Sequence, residues 1–260
     1  IATGEYIGFV DSDDWIMSDM FEYLLKGILG YEAEISYCGF VNVRKDWIDY
    51  QAMQMDVVYT TEMALNELFF DRLGNYAWNK LYKAELWKFI RFPIGRNFED
   101  ILTMYKIFEQ AARITVLKEP KYYYHIRQGS IMHDDSFINR WSIYTAIIER
   151  YREATPRLPQ YRAAMFRNVR NWYMHELSNE IVYRPEMREV NIFLLAQLAP
   201  FVAECKNVLA EELHIDKWER KKWDAFSLGT VDGCKKALYY HKKMEKARAR
   251  KRKWKRILNL

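Results

Sequence analysis

The chain has 260 residues, half of them hydrophobic, which predicts a folded protein with one large domain or two smaller ones. The sequence contains no run of eighteen or more apolar residues, so it offers no obvious membrane-spanning helix. Its three cysteines are far apart and lack metal-type spacing, which indicates a reducing, cytoplasmic compartment and argues against a disulfide framework. Because the chain begins with Ile1 and enters a strand-like segment at once, we expect upstream residues to be missing.

The net charge of +5 is distributed unevenly along the chain. Residues 235–256 hold twelve Lys or Arg and a single acid, Glu245, so this segment carries +11 and the rest of the chain −6. A basic helix of this kind is typical of a solvated surface, and it also suits anionic lipid head groups or a nucleic-acid backbone. We expect peripheral contact with an anionic membrane at its inner face, and no specific nucleic acid.

Hydrophobic periodicity and turn residues predict the elements in chain order. A buried strand over residues 6–10 is followed by a helix capped by Ser18 or Asp19, a strand over 35–43 and a loop or mobile flap over 44–55. Next come a helix over 61–71, a helix starting at Asn97-Phe98-Glu99-Asp100, and strands over 114–117 and 121–126 on either side of Pro120. From Phe137 onward the spacing is helical, with breaks at 155–159, 184–185 and 227–233. The expected domains are residues 1–135 and 136–260.

The first strand ends in the acidic segment Asp11-Ser12-Asp13-Asp14. Acids at the carboxyl end of a strand face the ligand crevice of an α/β sheet. Two acids separated by one residue are placed to hold a hard divalent cation that keeps positions open for substrate phosphates. Acids in turns are also common, so the spacing alone leaves a structural role open.

Four segments, in order, resemble the signature segments of family 2 glycosyltransferases of the GT-A fold. They are residues 2–15, which end in the acidic segment, then Trp78-Asn79-Lys80-Leu81-Tyr82, the pair Glu99-Asp100, and residues 124–131 with their Arg-x-x-Ser turn. The resemblance covers about residues 1–132, and the remainder is similar only to the variable helical extensions of such enzymes. It implies an α/β fold class, a partial GT-A domain (the metal- and acceptor-binding half) followed by an all-α C-terminal region.

The resemblance also implies roles at the donor end of the site. Asp13 would bind Mn²⁺ or Mg²⁺ bridging the nucleotide diphosphate, and Asp11 would lie near the metal or the ribose. Arg127 and Ser130 match the turn that closes over the diphosphate, where a guanidinium binds phosphate oxygens and a hydroxyl donates. His125 is a further candidate contact to the metal or the diphosphate, and a strand residue facing solvent is the alternative.

At the acceptor end, Asp100 matches the general base that takes a proton from the attacking hydroxyl, with Glu99 beside it, and the expected outcome is inversion of configuration. Both carboxylates lie in the first turn of a predicted helix, where free amides and the helix dipole stabilise a negative charge without any chemistry. Trp15, Trp78 and Tyr82 suit either sugar stacking or the core.

The function that the resemblance implies is the inverting, metal-dependent transfer of a sugar, from a UDP-sugar donor, to a glycan or glycolipid in surface polysaccharide biosynthesis. The family's early nucleotide-binding units have no counterpart here, so we expect the chain to be inactive alone. One alternative is a haloacid-dehalogenase-like phosphatase, which expects Thr or Val where this chain has Trp15. The other is a non-enzymatic binding module that uses the basic tail for a membrane or nucleic acid. A calcium-binding EF-hand loop is excluded, because the Gly and the final Glu that such a loop requires are missing after Asp11.

Overall fold

The computed structural model describes residues 2–44, 47–127 and 136–257, with side chains as far as residue 253. The chain divides into two compact units, residues 1–135 and 136–260. Among the described residues, the first unit is a mixed sheet with three α-helices and the second unit is helical. An α/β unit followed by an all-helical unit is the arrangement that the sequence predicts.

The first unit is built on a seven-stranded sheet with the order β1-β6-β3-β7-β2, in which β4 pairs with β3 and β5 with β7. The strands are β1 (Tyr6–Gly8), β2 (Trp15–Ile16), β3 (Ile35–Arg44), β4 (Trp47–Gln51), β5 (Val57–Thr60), β6 (Lys80–Lys83) and β7 (Arg113–His125), and the helices are α1 (Met20–Tyr31), α2 (Thr61–Phe69) and α3 (Glu99–Gln110). Strands β3 and β7 run parallel, and the other described pairings are antiparallel.

Helix α1 packs closely on the central strands. Its buried stripe, Met20, Leu24 and Ile28, repeats every four residues as a helix face requires. At Gly27 an added Cβ would lie 2.6 Å from Ser36 Oγ and 2.8 Å from a Leu117 methyl carbon, so a larger residue would push the helix off the sheet. The burial of this stripe against β3 and β7 fixes the strand ends that carry the site.

The prediction of a loop over residues 44–55 is wrong, because this segment contains β4. Strand β4 is exposed on both faces, so its sequence lacks the alternation of a half-buried strand. Backbone pairing with β3 holds it in place, and the Arg44 guanidinium lies 5.6 Å from the Trp47 ring.

The two strands predicted on either side of Pro120 are one continuous strand, β7. Pro120 lies opposite Gly39, where the register of β3 and β7 shifts on both sides of the glycine. A proline is tolerated in a sheet at such an irregularity because no ladder hydrogen bond is required of it there. The strand therefore continues to His125 and reaches the site.

The second unit contains helices α4 (Phe137–Ala154), α5 (Arg162–Met165), α6 (Met174–Tyr183), α7 (Arg188–Glu212), α8 (Lys217–Phe226) and α9 (Val231–Ile257), with a π-helical turn over Val169–Tyr173. Aromatic side chains join them: the Phe166 ring lies 5.6 Å from Phe201 and 5.3 Å from Trp223, measured between ring centroids. The predicted breaks at 155–159, 184–185 and 227–233 coincide with the helix ends.

Helix α7, together with the turn before it, is long and apolar enough by length and composition to cross a membrane. In this unit 44% of its most apolar window is buried. Leu194, Leu198 and Phe201 lie in the helical core. One such helix is weak evidence for a membrane span, because the core helix of a globular unit can meet the same criteria of length and composition.

Candidate functional site

The acidic segment Asp11–Asp14 lies between the short strands β1 and β2. Strand β2 pairs antiparallel with the end of β7, placing Trp15 opposite Tyr123 and Ile16 opposite Tyr122. Within the segment, the Asp14 amide donates to the Asp11 carbonyl at 3.1 Å and closes a turn. The acidic segment follows β1, as the sequence predicts, and its pairing places it beside the carboxyl end of β7.

Tyr122 anchors this turn to the core. Its ring is fully buried and stacks on Trp78 at 4.5 Å. Its hydroxyl accepts a hydrogen bond from the Asp11 amide at 3.1 Å and donates one to Asp14 Oδ2 at 2.7 Å. The His125 amide donates to Asp14 Oδ1 at 2.8 Å. Asp14 thus has a positioning role, and Tyr122 is a site residue that the sequence analysis missed, although the run of three tyrosines in β7 was visible.

Acids from two distant elements meet at Asp11. Partial burial, together with the charges of Asp14, Asp13, Glu99 and Asp100, raises the pKa of the Asp11 carboxyl to about 6. Glu99 and Asp100 belong to α3, so the fold brings the predicted acceptor-end acids within electrostatic reach of the predicted donor-end acids. Such accumulated negative charge is unfavourable unless a cation joins it.

Arg127 supplies one such cation. Its guanidinium lies 2.8 Å from Asp13 Oδ2, and both side chains are accessible to solvent. The residue predicted to bind the diphosphate therefore stands beside the residue predicted to bind the metal. Ser130, the other half of the predicted turn, lies outside the described residues.

Trp15 forms the aromatic edge of the site. Its ring stacks on Tyr123 at 5.6 Å and lies 5.9 Å from the His125 ring, and 45% of the residue is exposed. Trp78 and Tyr82 are buried in the core. Of the three aromatic candidates for sugar stacking, Trp15 is the one that the structure leaves at the surface.

The start of α3 accounts for the geometry of the acidic pair. Phe98 adopts a left-handed conformation at φ 59° immediately before the helix, so Glu99 and Asp100 occupy the first turn. Asp100 Oδ1 accepts a hydrogen bond from the Ile101 amide at 2.7 Å. The helix dipole stabilises both carboxylates in this position. The helix-start role is observed, and the hydrogen bond from the Ile101 amide fixes the orientation of the Asp100 carboxylate.

Lys80 is fully buried behind the site. Its ammonium group donates to the Tyr76 carbonyl, and to Asn79 Oδ1 at 3.2 Å, and lies 3.9 Å and 4.2 Å from the ring centroids of Tyr37 and Tyr76. Burial holds the pKa of Lys80 well below its usual range, and the charges of Cys38 and Asp100 offset part of that shift. The side chain ties the segment before β6 to β3.

The carboxylate oxygens of the acidic segment suit a small, hard cation. Among the described residues, no group of three or more His, Cys, Asp or Glu side chains is arranged as a metal site. Mg²⁺ and similar ions, however, are commonly held by one or two carboxylates together with water and substrate phosphates. Asp11 and Asp13 supply two carboxylates in a region where negative charge already accumulates, so these residues are suited to Mn²⁺ or Mg²⁺.

Comparison with known proteins relates this site to a family. Residues 1–95 match the family model described as glycosyl transferase family 2. Glycosyltransferase GlyA of Streptococcus pneumoniae is 32% identical over 139 residues, which are 50% of this chain and 20% of GlyA. Glycosyltransferase GlyG of the same species is 30% identical over 145 residues, 52% of this chain and 48% of GlyG. The chain thus matches a fifth to about a half of these relatives.

Among solved structures, residues 1–349 of Staphylococcus aureus TarS in complex with UDP-GlcNAc align with a TM-score of 0.69 and 19% identity, covering 93% of this chain and 69% of that chain. At this level of identity the likeness shows the fold. The predicted fold class, a GT-A-type α/β region followed by helices, is confirmed.

Proposed function

We propose that this chain, whose residues 1–95 match glycosyl transferase family 2, transfers a sugar from a UDP-sugar to a glycan or glycolipid with inversion, in surface polysaccharide biosynthesis. The observation that carries the proposal is that the charges of Asp13, Glu99 and Asp100 all act on Asp11, so acids from the turn after β1 and from the start of α3 share one electrostatic environment. One site then holds groups for a diphosphate leaving group and a base for the acceptor.

The donor end is proposed to bind the diphosphate of a UDP-sugar. TarS, which shares the fold, is known in complex with UDP-GlcNAc. In this chain Arg127 stands at the mouth of the acidic turn, where its planar guanidinium can bind two phosphate oxygens at once. Trp15, exposed beside His125, offers a flat apolar face to the sugar or the base.

At the acceptor end, Asp100 is proposed as the general base. As the acceptor hydroxyl attacks the anomeric carbon from the face opposite the diphosphate, its proton passes to the Asp100 carboxylate. One displacement of this kind inverts the configuration at the anomeric carbon. The helix start orients the carboxylate through the hydrogen bond from the Ile101 amide.

A divalent cation, Mn²⁺ or Mg²⁺, is proposed to be held by Asp13 and Asp11. When bound, it would neutralise negative charge on the departing diphosphate. Asp14 serves these residues by fixing the turn through Tyr122 and His125. Arg127 adds a second positive charge on the same side.

The test is the release of UDP from a panel of UDP-sugars at increasing Mn²⁺, measured for the protein as its gene encodes it and for this chain alone. Asp13→Ala should abolish the metal-dependent release, while Asp232→Asn, an exposed acid of α9, should leave it unchanged. Metal-dependent release that survives Asp13→Ala would refute the assigned role. The prediction that this chain is inactive alone is tested in the same assay.

A peripheral membrane contact is proposed for α9, consistent with a location at the inner face of the membrane. Its solvent-facing side carries a row of lysines with Tyr239, which is 54% exposed: Lys235, Lys236, Lys242, Lys243 and Lys246. Cations near an anionic surface attract it by roughly 1 kcal/mol each, and tyrosine suits the head-group region. The acids on the helix, Asp232 and Glu245, are few by comparison.

Co-sedimentation with phosphatidylglycerol vesicles tests this contact. The Lys242→Glu/Lys246→Glu variant should pellet less than the wild-type chain, and added salt should weaken pelleting of the wild type. Phosphatidylcholine vesicles are the control for non-specific pelleting. Equal pelleting of the variant and the wild type would refute a role for this face.

A further inference from the structure

A buried carboxylate organises a group of cations in the helical unit. Glu219 of α8 is only 2% exposed. Arg170, in the π-helical turn, binds both of its oxygens, with Nε 2.6 Å from Oε1 and an Nη 3.1 Å from Oε2. Arg248 of α9 binds Oε2 at 2.7 Å. Three elements that are far apart in sequence therefore converge on one side chain.

This arrangement fixes the direction of the two guanidinium groups. The bidentate contact leaves the Arg170 guanidinium little rotational freedom. Arg248 is held by its hydrogen bond to Glu219 and by longer ion pairs to Asp216 at 3.7 Å and Glu245 at 3.8 Å. Burial alone would raise the pKa of Glu219, but Arg170, Lys222 and Arg248 outweigh it, so the pKa lies below its usual range and the group stays ionised. Both guanidinium groups are therefore held in place before any ligand binds.

Beside this group lies a cavity of about 440 Å³, within the size range of small-ligand sites. Four cationic side chains line it, against two carboxylates, with Trp218 forming an apolar wall: Arg170, Lys217, Arg248 and Lys251 oppose Asp216 and Glu219. Beneath it, the buried Lys222 donates to the Arg170 carbonyl at 3.0 Å. The cavity therefore has an excess of positive charge.

A purely structural ion network accounts for only part of this. Arg170, Glu219 and Arg248 staple α8 to α9 and to the π-helical turn, as buried networks often do. Lys217 and Lys251 contribute nothing to that staple, because in the part of the chain that the structure describes neither forms an ion pair. Lys217 contacts the Trp218 ring, with its Nζ 5.1 Å from the centroid. The ion network therefore does not depend on the charges of these two lysines.

We propose that this cavity binds a phosphate group carried by a sugar or by a glycerol-based lipid head group. The two guanidinium groups suit the oxygens of a tetrahedral phosphate, the lysines add point charges, and Trp218 can cover an apolar or sugar portion of the ligand. The site lies wholly within residues 136–260, and its existence does not depend on the transferase activity.

Calorimetric titration of the full chain with glycerol 3-phosphate, inorganic phosphate and uncharged glycerol tests the proposal. The first two should bind and glycerol should not. Lys217→Gln/Lys251→Gln should weaken glycerol 3-phosphate binding about fivefold, the factor expected for two lost surface charge contacts. Because both lysines lie outside the ion network, this variant should keep the wild-type Tm. Lys88→Gln/Lys118→Gln, with the same change in net charge at two exposed lysines of the α/β unit, should bind as the wild type does.

Vesicles distinguish the two sources of phosphate. If the cavity variant also loses binding to phosphatidylglycerol vesicles, the ligand class includes lipid head groups; if only soluble phosphate binding falls, the ligand is a soluble or glycan phosphate. Equal losses in the two double variants would overturn the proposal, as would the absence of phosphate binding by the wild-type chain. Either result would leave the group as a structural staple, whatever the outcome of the UDP-release assay.

Discussion

Two carboxylates, Asp11 in the α/β unit and Glu219 in the helical unit, have opposite electrostatic surroundings. Asp11 stands among four other acids, and partial burial together with those charges raises its pKa to about 6. Glu219 is more deeply buried, yet the cations around it hold its pKa below the usual value. Burial acts in the same direction on both, so the neighbouring charges make the difference.

The contrast separates a group that costs stability from one that contributes it. A carboxylate that is held ionised among other acids weakens the folded state, and such an arrangement is typical of a site that awaits a cationic partner. A buried carboxylate between guanidinium groups is needed by its neighbours, because its removal would leave their charges unpaired. Substitutions at the acidic site should therefore impair chemistry, and substitution at Glu219 should impair folding.

The largest effect is expected for Asp100→Asn. The amide keeps the shape of the side chain but cannot accept the hydroxyl proton, so the rate of transfer should fall by about 10²- to 10⁴-fold. KM for the UDP-sugar and the Tm should change little. Steady-state kinetics of the protein as its gene encodes it, with Asp232→Asn as the control, give the measurement. A loss confined to KM would contradict a role as base.

Glu219→Gln should destabilise the helical unit by about 3–5 kcal/mol, the cost of breaking a buried ion pair by removing one partner. The free energy of unfolding from urea titration measures it. Glu204→Gln removes a carboxylate from an exposed pair with Arg152 and should cost less than about 1 kcal/mol. Similar losses in the two variants would mean that Glu219 stabilises the chain no more than an exposed charge does. The difference in electrostatic surroundings between Glu219 and Asp11 would then have no effect on stability.

Tyr122→Phe removes the hydroxyl that joins the Asp11 amide to the Asp14 carboxylate. The expected loss is about 1–2 kcal/mol, because the partner groups are partly buried and lose a charge-assisted hydrogen bond. Tyr123→Phe, on the neighbouring residue of β7, is the matched control and should change stability by less than about 0.5 kcal/mol. If both variants are equally stable, the turn is held by backbone pairing alone.

The parts of the fold that could be predicted are those whose sequence carries a strong pattern. Helix α1 and strand β3 bury continuous apolar faces, so their spacing is visible. Strand β4 was missed because neither of its faces is buried, and β7 was divided because a proline normally ends a strand. Backbone pairing with β3 holds β4 in place although its sequence lacks a strand pattern. A register shift opposite Gly39 lets β7 continue through the proline.

The candidate site was accessible from the sequence only where motifs carried it. The acidic turn, the pair at the start of α3 and Arg127 came from four ordered resemblances, and their roles stay predictions. The Tyr122 bridge depends on a side-chain contact across 111 residues. The cation group around Glu219 joins residues 29–49 positions apart on three elements, and the basic tail by itself gave no sign of it. Such long-range contacts leave no periodic trace in a sequence.

The smallest expected effect is a gain in stability, whereas the preceding substitutions reduce activity or stability. Because the pKa of Asp11 is about 6 in the folded chain and 3.8 for an ordinary aspartate, its ionisation weakens the fold as the pH rises through 6. Asp11→Asn removes that cost and should stabilise the chain by about 1 kcal/mol at pH 7.5, a value reduced for solvent screening because the side chain stands at the surface. Most of this gain should be absent at pH 4.5, where the folded-state carboxyl is already protonated.

Asp14→Asn is the matched control for this prediction, because its two oxygens accept hydrogen bonds from Tyr122 and His125 and an amide can accept only one of them. It should therefore destabilise the chain at pH 7.5, whereas Asp11→Asn stabilises it. Urea titrations at the two pH values measure both. If Asp11→Asn were neutral or destabilising at pH 7.5, the negative charges at the turn would not be weakening the fold. Asp11 and Glu219 would then not differ in their electrostatic surroundings in the way described.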